Sequence, residues 1–427
     1  MTTTVAHSET AAPARTAAAV VTGLGVVAPN GIGIEEFWSA TVRGTCAIGP
    51  LTRFVADGYP ARLAGEIRDF DPRERLPSML LTQTDRMTQL ALHAADLALA
   101  DAGIDPAARH EYDMGVMTAS SAGGFEFGQR ELEKLWAKGS RFVSAYQSFA
   151  WFYAVNTGQI AIRHGMRGPT GVLVGEQAGG LDVIGQARRQ IRKGTGVVVT
   201  GGVDSALCPW GWVAQLAGGR ISERDDPAGA YLPFSADAQG HVPGEGGALL
   251  VLESSESAQE RGLGEGYGRI AGYAATFDPR PDSGREPGLR RAAQLALHDA
   301  GIAPGEVDVV FADAAAVPEL DVAEATALAD LFGRRAVPVT APKSLLGRLN
   351  SGGAPLDVAT ALLALRDGVI PPSVELPTPM ADLPIDLVQG QARHQPLRTA
   401  LVLARGRGGF NAAMVVRAPD ASDRREH

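Results

Sequence analysis

Cysteine is nearly absent from this chain, with only Cys46 and Cys208 in 427 residues. They lie far apart and lack metal-ligand spacing, so neither a disulfide framework nor a zinc site is expected, and a reducing cytoplasm fits. Basic runs are missing too. With a net charge of −9 and no extended Lys/Arg cluster, the chain is not a nucleic-acid binder, because neutralising phosphates needs a concentrated basic face. Arg188-Arg189 and Arg290-Arg291 are expected on solvated helix faces. No apolar run is long enough to cross a bilayer: residues 17–27 are apolar, but Gly23, Gly25 and Pro29-Asn30 mark a strand and turn. The first sixteen residues lack a basic segment followed by an apolar one, and are expected to form a disordered N-terminal tail.

What is present is the composition of a globular chain, 45% hydrophobic and 20% charged, with 52 glycines. The glycines gather at the turns that end strands, where open α/β folds place their sites. A weak internal repeat organises the sequence: Leu99-Ala-Asp-Ala-Gly-Ile104 recurs as Leu297-His-Asp-Ala-Gly-Ile302. Each copy closes a helical stretch, with Met87, Leu90, Ala91, Ala94, Leu97 and Ala98 on one face of the first and Leu289, Ala293, Leu295 and Leu297 on one face of the second. Gly103 and Gly301 supply the left-handed position after the helix, and Pro106 and Pro304 block continuation. Strands are expected at 114–117 and 307–311 after the repeats, and at 197–200, 248–252 and 401–404. The reading is an α/β fold of two similar halves, 17–262 and 263–418, with a short tail at 419–427.

One turn carries the functional argument. Residues 171–180, Gly-Val-Leu-Val-Gly-Glu-Gln-Ala-Gly-Gly, pass from a strand through small residues into a helix expected over 181–193. This strand–turn–helix pattern lifts one side chain to a helix N-terminus, where backbone N–H groups can stabilise an anion. The side chain presented is Gln177. A carboxamide has no thiolate or alkoxide form and cannot carry an acyl group. Cys208, in Cys-Pro-Trp, lacks such a turn and reads as structural. Of the eight histidines, His164 and His241 fall in Gly-rich turns, and a surface or structural role is the default for all of them.

With the turn, the duplicated halves and the Gly-rich strand ends in view, the chain resembles a β-ketoacyl synthase of the thiolase fold. More narrowly, it is similar to the chain-length factors, the ketosynthase β subunits of bacterial aromatic polyketide synthases. The resemblance runs from about Ala18 to Ala418 and is carried by residues 174–182, 201–206 (Gly-Gly-Val-Asp-Ser-Ala), 231–234 (Tyr-Leu-Pro-Phe), 242–247 (Val-Pro-Gly-Glu-Gly-Gly) and 403–409 (Leu-Ala-Arg-Gly-Arg-Gly-Gly). It implies a layered α-β-α-β-α architecture, and neither a cofactor nor a metal. Active members use a Cys nucleophile and two histidines, and all three are replaced here. Gln177 stands for the Cys, Asp313 for the His of a His-Gly-Thr-Gly-Thr-Pro motif, and Arg348 for the His of a Lys-Ser-x-x-Gly-His motif. Lys343 and Glu324 persist, while Arg405 and Arg407 replace a Phe-rich gate. The site is thus expected to be vestigial, with Asp313 and Arg348 paired across it.

The resemblance further implies a heterodimer with a catalytic ketosynthase α subunit, served by an acyl carrier protein bearing malonyl groups and the growing chain, in which this subunit completes the polyketide tunnel. Phe125, Gly128 and Leu132 share one face of a helix expected over 125–138 and ended by Gly139, which from periodicity alone would be a core face. By resemblance they gate tunnel depth, with Trp210 as a further wall. Gly128 and Leu132 are small for such gates, so a product of about ten acetate units or more is expected. Trp151-Phe152-Tyr153 is the expected interface cluster. The alternative is an enzyme in its own right, a malonyl-carrier-protein decarboxylase or divergent ketosynthase acting at Gln177 or Cys208.

Overall fold

The computed structural model describes residues 18–420, and the expected tails, 1–16 and all but the first two residues of 419–427, lie outside them. Strands β1 (Ala19–Ala28), β2 (Met114–Ala119), β3 (Thr170–Leu173), β4 (Val197–Asp204) and β5 (Gly246–Ser254) line up in the order β1-β5-β4-β2-β3. Strands β6 (Gly268–Phe277), β7 (Val309–Phe311), β8 (Pro338–Thr340), β9 (Asp386–Leu387), β10 (Thr399–Arg405) and β11 (Phe410–Arg417) repeat that order as β6-β11-β10-β7-β8, with β9 added at the edge. The senses match as well. Within each half the first two pairings are antiparallel and the next two parallel. The halves meet where Val20 of β1 pairs with Arg269 of β6.

Helices fill three layers around these strands. Against one outer face lie α1 (Arg86–Asp101) and α3 (Val155–Arg163), where Leu90, Ala94 and Ile160 pack on Val116 and Val199. On the other outer face lies α6 (Leu289–Ala300) with α7 (Pro318–Phe332), where Ala293 and Leu328 pack on Val310 and Leu401. Between the two halves of the sheet run α4 (Glu176–Arg192) and α8 (Gly353–Asp367), burying Leu181, Ile184, Val358 and Leu362 against Val198, Leu250, Val402 and Met414. This is the expected α-β-α-β-α layering. Helix α8 is buried at every residue from Gly353 to Leu365, as a helix enclosed by two sheets must be.

That central position corrects one expectation. Arg188 is not on a solvated face; it is buried, paired with Asp299, because α4 has no solvent side along most of its length. The buried stripe of α6 also differs, comprising Leu289, Ala292, Ala293, Ala296 and Leu297, while Leu295 is 41% exposed. Alanines allow closer approach to the strands than Leu295 would. Helix α4 itself begins at Glu176, five residues before its expected start, so Gln177 lies inside its first turn.

The repeated hexapeptide is a structural clamp. Gly103 and Gly301 adopt φ of 60° and 68°, and Ile104 N and Ile302 N donate to Leu99 O (2.9 Å) and Leu297 O (3.1 Å), closing both helices alike. The aspartates then tie helix to strand. Asp101 Oδ2 accepts from Leu24 N at 2.8 Å, and Asp299 Oδ2 from Tyr273 N at 2.9 Å. Such closeness requires glycine on the strand: a Cβ at Gly23 or Gly25 would strike the carbonyl oxygens of Ala98 and Ala94, and one at Gly272 that of Ala296.

Candidate functional site

Strand β3 leads through Val174-Gly175 into α4, and the turn is strained, since Glu176 adopts φ 52° without being glycine. Small residues make it possible. A Cβ at Gly175 would lie 3.2 Å from Gly179 Cα, and one at Gly180 would overlap Pro355 on α8. Gln177 is therefore driven into the interior and is fully buried. Its Nε2 donates to Asp313 Oδ1 at 2.9 Å, while its Oε1 is buried and has no partner among the described residues. Gly353 leaves room for that amide, because a Cβ there would come within 2.7 Å of Oε1.

Asp313 lies between β7 and α7, in a segment whose backbone is unusual. Ala314 and Ala316 adopt φ of 51° and 53°. Alanine in this region costs about 1–2 kcal/mol each. Surrounding groups hold the conformation in place. Glu324 accepts from Asp313 N (2.8 Å) and Ala314 N (2.9 Å), Asp321 from Ala316 N (3.1 Å) and Phe234 N (2.8 Å), and Tyr231 Oη donates to Ala314 O at 2.9 Å. Burial raises Glu324 and lifts Asp321 to about 7.

Asp313 gathers the rest of the site. Arg348 Nη2 donates to its Oδ1 at 3.1 Å and also to Arg405 O at 2.9 Å, and Arg405 N donates to the same Oδ1 at 2.8 Å. Asp313 and Arg348 thus form the expected pair, with both side chains buried. Burial alone would raise Asp313, but Arg348, Lys343 and Arg405 outweigh it and hold the carboxyl below its ordinary range. Lys343 Nζ donates to Ala312 O at 2.8 Å and pairs with Asp357 Oδ2 at 2.6 Å. Asp357 on α8 was not legible as a partner, because 14 positions of sequence and a change of element separate it from Lys343. Burial lifts Asp357 to about 6 against the pull of Lys343.

This arrangement supplies no acyl-transfer chemistry. Gln177 has no ionisable proton, Asp313 and Arg348 neutralise each other, and His241 is pushed down to about 3 by burial and by Arg348, too low for a useful base near neutrality. Cys208 is buried and its thiol is pushed up to about 11, chiefly by burial, which leaves almost no thiolate. Among the described residues no group of three or more His, Cys, Asp or Glu could hold a metal, and no helix is long and apolar enough to cross a membrane.

A cavity of about 340 Å³ opens beside the turn, lined in part by Phe125, Val174, Glu176, Gln215, His241 and Arg407. Helix α2 spans Phe125–Lys138 as expected, and Gly139 follows it with φ 99°. Phe125 stacks on Trp210 of α5 (Pro209–Leu216), with ring centroids 4.7 Å apart and planes 8° from parallel. Gly128 is buried beneath that indole: a Cβ there would sit 3.2 Å from Trp210 Cζ3 and 3.5 Å from Trp151 Cβ. Leu132 is half-buried one turn further along. Phe125 is on the cavity wall, whereas Gly128, Leu132 and Trp210 do not line it. Nearby, Trp151 is 42% exposed, and Phe152, Tyr153, Trp210 and Val213 are exposed with it. Among the described residues, strand β3 pairs only on its β2 side.

Comparison with known proteins accords with this geometry. The beta-ketoacyl synthase N-terminal domain matches residues 17–258 and the corresponding C-terminal domain residues 267–377. The actinorhodin polyketide putative beta-ketoacyl synthase 2 of Streptomyces coelicolor is 60% identical over 398 residues, covering 93% of this chain and 98% of its own length. The tetracenomycin polyketide synthase ketoacyl synthase beta subunit of Streptomyces glaucescens is 61% identical over 399 residues, with the same coverage of both chains. Among solved structures, the ishigamide ketosynthase/chain length factor superposes with a TM-score of 0.87 at 27% identity, covering 95% of this chain and 100% of that one. A fold duplicated in this way, matched by both family domains and by polyketide ketosynthases of 60% and 61% identity, one of them named a beta subunit, places the chain in the beta-ketoacyl synthase family, on the ketosynthase β branch of polyketide synthases.

Proposed function

We propose that this chain is the non-catalytic, length-setting partner of a catalytic ketosynthase α subunit in aromatic polyketide synthesis, working with an acyl carrier protein that delivers malonyl units. The observation that carries the reading is the buried amide of Gln177 hydrogen-bonded to Asp313, which supports reading Gln177 as a neutral plug in place of an acylated nucleophile. The division into halves at 262/263 is supported by the family matches, which end at 258 and resume at 267. In this reading Phe125 lines the end of the tunnel and is backed by Trp210 stacked on it, with Gly128 and Leu132 on the same helix setting its position, and the exposed aromatics with the outer edge of β3 meet the α subunit. Completion of a tunnel between subunits needs shape and water exclusion rather than acid–base groups. A product of about ten acetate units or more fits a wall whose second position has no side chain.

One observation favours a second reading, a malonyl-carrier-protein decarboxylase: among the described residues the buried Oε1 of Gln177 has no partner, and it is an acceptor for an amide N–H of the phosphopantetheine arm that carries the malonyl thioester. Reconstitution of the heterodimer with carrier protein and malonyl thioester separates the two. Gln177→Ala is expected to leave product length and yield nearly unchanged, while Gly128→Phe shortens the product. Loss of priming in Gln177→Ala, with length unchanged in Gly128→Phe, would overturn the proposal in favour of decarboxylation.

A further inference from the structure

Trp210 is held by a side chain from another helix. It is the second residue of α5, and the first N–H groups of a helix have no partner within it. Pro209 brings no N–H, and Cys208 before it offers only a thiol, a weak acceptor, where Ser, Thr, Asp or Asn would cap. Gln129 of α2 supplies the stronger acceptor, its Oε1 receiving Trp210 N at 2.8 Å. That amide is itself oriented, because its Nε2 donates to Glu133 Oε1 at 2.8 Å, one turn along the same helix. Helix α2 is fixed in turn. The fully buried Asp85 accepts from Met87 N at 2.8 Å with one carboxylate oxygen and from Phe127 N at 2.7 Å with the other, which joins the first turns of α1 and α2. Gly124 permits the approach, since a Cβ there would lie 2.8 Å from Asp85 Cβ.

Two helix starts are thus held by side chains of neighbouring elements, and the Phe125–Trp210 stack joins the same two helices, α2 and α5. Stacking alone positions a ring loosely, since favourable centroid separations span about 4.5–7 Å. A hydrogen bond to the backbone of Trp210 removes that freedom. We infer that Gln129 is a positioning residue for product length, a role that rests on the tunnel reading: it fixes Trp210 behind Phe125, and so sets how far Phe125 can yield to the end of the growing chain. Gln129 does not line the cavity on whose wall Phe125 stands, so it acts through Trp210 rather than on the chain.

The test is the mass distribution of polyketides made by the heterodimer, reconstituted with carrier protein and malonyl thioester, carrying Gln129→Met. Chains differing from the principal product by one acetate unit should rise about fivefold relative to it, the change that one hydrogen bond of ordinary strength allows. Amide exchange at Trp210 should quicken by a similar factor. The double variant Gln129→Glu/Glu133→Gln keeps an acceptor for Trp210 N, the bond between the two side chains and the net charge, and should restore both. Should Gln129→Met assemble poorly, Gln129→Asn withdraws the amide by one methylene and should give the same broadening. An unchanged distribution in Gln129→Met, at whatever yield, overturns the inference as a merely structural role, and the tunnel reading stands if Gly128→Phe still shortens the product. Unchanged exchange at Trp210, or no restoration in the double variant, overturns it as well. If Gly128→Phe also leaves the product unaltered, the tunnel reading fails and this inference with it.

Discussion

Removing the carboxylate of Asp313 is predicted to destabilise the protein far more than removing an ordinary polar side chain. Its two oxygens accept from Gln177 Nε2, Arg405 N and both terminal nitrogens of Arg348, at 2.9, 2.8, 3.1 and 3.4 Å. Asp313→Ala leaves the buried Arg348 charge without its partner, which costs about 3–5 kcal/mol. Arg348→Met strands the carboxylate in turn, though Gln177 and Arg405 N still serve it, so about 2–4 kcal/mol is expected. In the double variant Asp313→Ala/Arg348→Met neither charge is left alone, and the summed single costs should exceed the observed cost by about 2–3 kcal/mol. The assay is the urea midpoint of the assembled heterodimer at fixed protein concentration, compared across the three variants. Costs that add within about 0.5 kcal/mol would refute the idea that this ion pair organises the site.

Three further results are expected. Gly128→Ala presses a methyl against Trp210 at 3.2 Å, a contact the indole can relieve by a few tenths of an ångström, so product length should hardly change; Gly128→Phe must displace Trp210 and should shorten the product, as mass spectrometry would report. Gln177→Ala should leave carbon dioxide release from malonyl carrier protein at the unsubstituted rate, and a large fall would contradict the plug. His241 is held near 3 in the folded protein against about 6.5 when unfolded. Between those values only the unfolded chain takes up its proton, so on acidification this one group costs about 1.4 kcal/mol per pH unit. His241→Asn should remove that slope from urea unfolding measured between about pH 6 and pH 4.5, and an unaltered slope would show that the folded protein does not hold His241 neutral.

Much of the fold was legible because its signals are local. Helix α2 and its terminating Gly139 follow from periodicity and a glycine stop, and Gly103 and Gly301 mark the clamp from residue type alone. The Asp313–Arg348 pair was legible through resemblance, which aligned two opposite charges on converging positions. Layer order was not. Periodicity reports a helix with one wet face, and α4 and α8 carry no such contrast because both sheets enclose them, so Arg188 read as solvated. Nor could sequence show that Trp210 would cover Gly128, or that Asp357 would answer Lys343, since both depend on packing between separate elements.

The duplicated clamp bears on how the chain reaches this structure. In the first half the aspartate–strand hydrogen bond spans 77 residues, from Leu24 to Asp101, whereas in the second it spans 26, from Tyr273 to Asp299. The same contact thus closes loops of different length, and by loop-closure entropy the shorter one costs about 1 kcal/mol less to form. The C-terminal half is therefore expected to assemble its helix–strand pair ahead of the N-terminal half during refolding, so that Asp299→Asn should slow folding more than Asp101→Asn. A chain built from two near-copies of one motif gains a direction of folding from the length of the excursion between clamp and strand, although the clamps themselves are alike.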